Sequence, residues 1–75
     1  PTHRVLNIKN VDTEGFNKNI REECESRGIS ISLSTVTKNT ETGTKNYVYA
    51  IELPPQLDEE ELLKLVPYEC SIKLE

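Results

Sequence analysis

The residues able to do chemistry are few: His3, Cys24, Cys70, the carboxylates of residues 58–61, and Lys45 close to Tyr47 and Tyr49. His3 is the sole histidine. As a metal ligand or general base it needs partners that the sequence does not supply, so it reads as a solvated side chain near a chain end. The two cysteines are too few for a disulfide framework and are not spaced as CxxC. Each falls on an apolar stripe, so both read as buried, reduced thiols in a cytosolic protein, packing as small hydrophobes. The acidic run lacks the spaced Asp/Asn/Gly loop of a calcium site. It reads as a helix first turn whose carboxylates offset the dipole. The chain has no P-loop, GxGxxG, GxSxG or HExxH pattern. No catalytic residue, metal ligand or cofactor is expected, and the chain reads as a non-enzymatic binding or regulatory module.

Seventy-five residues make one domain, residues 1–75. A chain this short buries only about 60% of the surface that its unfolded form exposes, so its core is marginal and has no room for a deep enzyme cleft. The chain opens at Pro1 and contains no Met, so it reads as a piece of a longer protein. Nine basic residues against thirteen acidic ones leave a net charge of −4. Binding to duplex nucleic acid or a membrane surface draws on positive charge, so this balance argues against both. No apolar run is long enough to span a bilayer, and no membrane contact is expected of this piece.

The elements that must position these residues alternate in kind. Residues 4–11 read as a strand, with Leu6 and Ile8 alternating with Asn7 and Lys9. Asp12 and Thr13 offer an N-cap for a helix running to about Arg27, with Phe16, Ile20 and Cys24 as its apolar stripe. Gly28 marks its end. Residues 29–37 form a second strand, in which Ile29, Ile31 and Leu33 alternate with Ser30, Ser32 and Ser34. Val36 breaks the alternation and suggests a bulge. Residues 38–46 contain Thr42-Gly43 and read as an exposed hairpin tip. A third strand covers residues 47–53, with Tyr47, Tyr49, Ile51 and Leu53 on one face. Asp58 caps a second helix and Glu61 completes a capping box. Leu62, Leu63, Leu65 and Val66 form its buried side, and Pro67 stops it. Residues 68–74 read as the last strand. The order βαββαβ predicts an α+β, ferredoxin-like sandwich: a four-stranded antiparallel sheet with two helices on one face.

Each strand has one apolar face, so the sheet is covered on one side only. The open side then collects Asn7, Lys9, Ser30, Ser32, Ser34, Val48, Ala50, Glu52, Ser71 and Lys73, a small, polar surface without an aromatic residue. Residues 11–31 resemble ACT-type regulatory domains. Val11-Asp12-Thr13-Glu14-Gly15-Phe16 is similar to that family's strand-to-helix turn. Ile20, Cys24, Gly28, Ile29 and Ile31 fall at its helix stripe and Gly-Ile-x-Ile strand. Glu14 stands where the family has Pro, and Asn17 where it has an apolar residue. Among such domains, the chain resembles the cytosolic C-terminal module of MgtC/SapB-type membrane proteins. The resemblance implies a small-molecule effector, a homodimer, and a ligand held near the first strand-to-helix turn. By position, Asn10, Asp12, Thr13 and Gly15 are its implied contacts. The plain alternative is that Asp12 or Thr13 simply caps the helix.

A second resemblance is to the RNA-recognition motif, including the degenerate members in Gag-like proteins. It rests on Lys45-Asn46-Tyr47-Val48-Tyr49 and on Leu6-Asn7-Ile8-Lys9-Asn10-Val11, and implies Asn7, Lys45, Tyr47 and Tyr49 as nucleic-acid contacts. Two positions depart from that pattern: Asn7 replaces the first-strand aromatic, and Asn46 replaces a glycine. Base stacking needs aromatics on the open face, whereas the alternation puts Tyr47 and Tyr49 on the core face unless a bulge reverses them. A third reading is a protein-interaction domain that uses an edge strand or the acidic second helix.

Overall fold

The alternating strands and the amphipathic segment between the first two assemble as their periods dictate. In the computed structural model, which describes residues 3–66 and 70–75, the order is β1 (His3–Val11), α1 (Phe16–Ser26), β2 (Ser30–Lys38), β3 (Lys45–Glu52), α2 (Glu59–Leu63) and β4 (Ser71–Leu74). The strands form one antiparallel sheet in the order β2-β3-β1-β4. The chain is thus a small α+β fold of βαββαβ order. Pro67 and Tyr68, expected at the end of α2 and the start of β4, lie outside the described residues.

Alternation sorts the strand side chains. Leu6, Ile8, Tyr47, Tyr49 and Ile51 point to the helix side and are buried against Phe16, Ile20 and Cys24 of α1. Tyr49 is fully buried, and its hydroxyl donates to Asn17 Oδ1 at 2.9 Å. Phe16, Tyr47 and Tyr49 form a row, with ring centroids 5.4 Å and 5.9 Å apart. Among the described residues, no buried side-chain polar atom lacks a partner.

Two bulges modify the regular ladder. In β2, Leu33 pairs with Tyr49 and Thr35 with Val48, so Ser34 is the extra residue. The expected break in alternation near Val36 is therefore real. The bulge returns Val36 to the helix side opposite Tyr47 and takes Ser34 out of the open-face row. β3 carries no extra residue, so its faces are not reversed. The second bulge was not anticipated. In β1, Ile8 pairs with Tyr47 and Val11 with Lys45, with the left-handed residue Asn10 (φ 65) between them. The Asn10 N–H donates to Asn46 Oδ1 at 3.1 Å, which secures the kink.

The helices depart from expectation at their ends. Neither Asp12 nor Thr13 caps α1: its N-cap is Gly15, in the left-handed region, without a side-chain hydrogen bond. The β1 bulge sets the cause, because the chain leaves the sheet at Val11 and must turn sharply to enter the helix. Asp58 does cap α2, its Oδ1 accepting from the Glu60 N–H at 3.1 Å. Only half of the capping box forms, since Glu61 contributes its own N–H to the Asp58 carbonyl and not its carboxylate to the cap. In α2, Leu62 is buried but Leu63 is exposed, and just beyond the helix Val66 is buried with Leu65 packed beside the core. Five residues make too few turns to hide both neighbouring leucines. Arg4 ties this short helix down, with Nη1 2.6 Å from Glu59 Oε1 and Nε donating to the Glu75 carbonyl.

A buried hydroxyl with a half-exposed partner makes a graded prediction. A net intramolecular hydrogen bond is worth about 1 kcal/mol, and truncating a buried aromatic to Ala costs about 3–5 kcal/mol. Tyr49→Phe is therefore expected to lower the urea midpoint slightly, and Tyr49→Ala to lower it severely. Equal losses in the two variants contradict the assignment.

Candidate functional site

The β1 bulge and the β2–β3 hairpin build one concave place on the surface. Val11 is driven into the core by the bulge, and residues 12–15 then loop outward before α1 begins. The hairpin runs beyond the end of β1, because Val11 is opposite Lys45 and the tip lies further on. Its turn is tied by the Asn39 N–H to the Thr44 carbonyl and by the Gly43 N–H to the Asn39 carbonyl, each at 2.8 Å. Loop and hairpin together enclose an open concavity of about 240 Å³, lined by Val11, Asp12, Thr13, Glu14, Gly15, Gly43, Lys45 and Tyr47.

Its electrostatics are two-signed. The first N–H groups of any helix lack intrahelical acceptors. Here no side chain caps them and no acidic residue occupies the first turn, so the positive end of α1 opens on the loop. Lys45 adds a cation across the concavity. Asp12 and Glu14 bring carboxylates to the same rim. Gly15 holds φ 75, and a Cβ built there meets nothing within 4 Å, so the glycine serves the turn and not a close contact.

The structure brings Asp12, Thr13 and Gly15 of the sequence-derived set together in this concavity. Asn10 does not line it. It stands at the bulge, where its carbonyl accepts a long 3.8 Å contact from Cys70 Sγ, and its role is to aim the loop. Val11, Glu14, Gly43, Lys45 and Tyr47 complete the lining and were not foreseen there. The extra residue in β1 moves the hairpin tip relative to the loop, and the break in alternation at Val11 does not by itself say where the hairpin then lies. The residues suggested for nucleic-acid contact do not share a face: Asn7 lies on the open side, while Lys45, Tyr47 and Tyr49 lie on the helix side. Tyr49 is inaccessible and Tyr47 is 8% exposed, so neither is placed to stack a base.

The remaining reactive groups lie elsewhere. Cys24 is fully buried, and burial pushes its thiol up to about 11. Burial, with Tyr47 alongside, also raises the Tyr49 phenol well above its ordinary value. Cys70 is half-buried, and neither cysteine is in a disulfide. His3 is largely exposed, 3.9 Å from Glu52. Among the described residues there is no cluster of three or more metal-binding side chains, and no helix is long and apolar enough to cross a membrane. No protein-family model and no curated protein matches this chain.

Forcing a Cβ into the left-handed region costs about 1–2 kcal/mol, so Gly15→Ala is expected to lose that much stability in chemical denaturation, with α1 retained by circular dichroism. No loss refutes the left-handed turn. At pH 8 the Cys24 thiol stays protonated, so a thiol reagent is expected to modify Cys70 first and Cys24 only as fast as the domain opens. The raised Cys24 value also implies stability that is complete below the unfolded thiol value and declines as pH climbs towards about 11. Cys24→Ala is expected to flatten part of that decline.

Proposed function

We propose that the chain is a non-enzymatic ligand-sensing module whose β1–α1 concavity takes a small molecule bearing both a carboxylate and an ammonium group. The observation that carries this reading is the pairing of an uncapped α1 N-terminus and Lys45 with Asp12 and Glu14 around one 240 Å³ hollow. Backbone N–H groups at a helix start and a lysine suit a carboxylate. The two acidic side chains suit an ammonium. Val11 and Tyr47 provide the apolar part of the lining. The resemblance of residues 11–31 to ACT-type domains points to the same turn, and the MgtC/SapB-type setting suits a cytosolic module attached to a larger protein. We read the compartment as cytoplasmic, since two thiols without a disulfide suit a reducing environment. The RNA-recognition reading has less support, because its tyrosines are under α1.

Titration with a panel of amino acids, read by amide shifts, tests the proposal. Shifts are expected at residues 12–15, at Gly43 and at Lys45. Lys45→Glu replaces a charge-assisted contact worth about 1.5–3 kcal/mol, so affinity is expected to fall roughly ten- to a hundred-fold while the spectrum elsewhere is retained. The reading is abandoned if no amino acid perturbs these amides, or if Lys45→Glu binds as well as the parent.

A further inference from the structure

The open side of the sheet holds a second concavity, of about 340 Å³, over β1 and β4, lined by Asn7, Lys9, Ser71, Ile72, Lys73 and Glu75. The antiparallel register sets three rows there. Lys9 stands opposite Ser71 and Asn7 opposite Lys73. Val5 stands opposite Glu75, and each donates its N–H to the other's carbonyl. Partners within such a row are about 5.5 Å apart, and successive rows on one face are about 7 Å apart. Lys9 and Lys73 are diagonal neighbours, close enough for two long side chains to meet over one small group. Asn7 is half-buried, with Val48 on one side and Lys73 on the other. Among the described residues, the side chains of Asn7, Lys9 and Ser71 make no hydrogen bond or ion pair with the chain. Lys73 reaches Glu75 at 3.5 Å, an exposed pair of little strength. In a chain with thirteen acidic and nine basic residues, two lysines with one carboxylate in the same lining are a local excess of positive charge.

We propose that this concavity binds the phosphate group of a small phosphate monoester. Two adjacent rows supply two ammonium groups, the Asn7 amide and the Ser71 hydroxyl, all of them donors. A phosphate monoester presents three acceptor oxygens and about −1.5 to −2 charge at pH 7, so it engages several of these donors at once. A carboxylate, with two oxygens and one charge, leaves part of the set unused. The phosphate lies between the Lys9–Ser71 and Asn7–Lys73 rows, away from Glu75. The rest of the molecule then extends over the third row. There the Glu75 carboxylate accepts hydroxyls, and Val5, 40% exposed, gives an apolar contact. Glu75 also repels the phosphate from that row, so the ligand has one direction along the strands. The volume falls within the range of small-ligand pockets, about 300–1,000 Å³. This site is on the opposite side of the sheet from the β1–α1 concavity and does not depend on the reading given to that one.

Titration of the 75-residue chain with inorganic phosphate, glucose 6-phosphate, glucose and acetate, read by amide shifts, tests this. Phosphate at millimolar concentration is expected to move the amides of Asn7, Lys9, Ser71 and Lys73 and to leave those of residues 12–15 in place. Glucose 6-phosphate is expected to bind more tightly and to move Val5 and Glu75 as well. Glucose and acetate are each expected to bind roughly ten-fold more weakly than glucose 6-phosphate. Lys9→Gln and Lys73→Gln, at exposed positions, are each expected to weaken phosphate binding roughly five-fold. Lys18→Gln, at an exposed position on α1, is expected to change nothing. The proposal is overturned if tens of millimolar phosphate leaves the four amides unmoved, if acetate binds as well as phosphate, or if the double variant Lys9→Gln/Lys73→Gln binds as well as the parent. It is overturned too if a single-stranded RNA oligonucleotide binds this face far more tightly than glucose 6-phosphate, which assigns the lysines to a polymer.

Discussion

The Tyr49 hydroxyl bonded to Asn17 under α1 is the constraint on which the other arrangements rest. Burying a phenol whose oxygen finds no partner costs about 1–3 kcal/mol, a large share of the stability of a small domain. Asn17, on the first turn of α1, supplies that partner and so sets both the rotation of the helix and its closeness to β3. With the helix set, Phe16 reaches Tyr47, Ile20 and Cys24 fill the space over β1 and β3, and the aromatic row is committed to the covered side. Among the described residues, the open side is left without Phe or Tyr as a direct consequence.

The second constraint is the β1 bulge. One left-handed asparagine, held by the Asn46 side chain, turns Val11 inward and throws the next four residues out beside the hairpin. The helix then starts at Gly15 without a side-chain cap, and the loop before it lines one concavity with Lys45. An absent cap forgoes about 1 kcal/mol, which a domain of this size feels. The helix tolerates it because its stability comes from the stripe buried on the sheet and not from its ends.

Much of this was legible in the residues. The βαββαβ order follows from alternation in four segments, a 3.6-residue stripe at Phe16, Ile20 and Cys24, and the stops at Gly28 and after Leu53. The covered face of β3 was legible because Tyr47, Tyr49, Ile51 and Leu53 keep strict period, and Val36 betrayed the β2 bulge by breaking it. The β1 bulge left the same kind of trace, since Val11 follows Ile8 by three residues, but at a strand's end such a break also fits the strand simply stopping. The site inherited that ambiguity. Asp12, Thr13 and Gly15 lie on the segment that any βα turn exposes and were reachable by position, whereas Lys45 and Gly43 depend on a register that only the three-dimensional pairing defines.

The same reasoning explains why the two sides of this thin sheet can serve separate purposes. The covered side takes Phe16, Tyr47, Tyr49 and the larger aliphatic residues of β1 and β3, and its rim becomes the concavity where the loop after the bulge stands away from the hairpin. The open side keeps Val5 and Val48 among polar and charged neighbours, with Lys73 beside Asn7 and Glu75 beside Val5. The division follows from alternation, which commits the aromatic residues of β3 to the α1 side and leaves the other face to short and charged side chains.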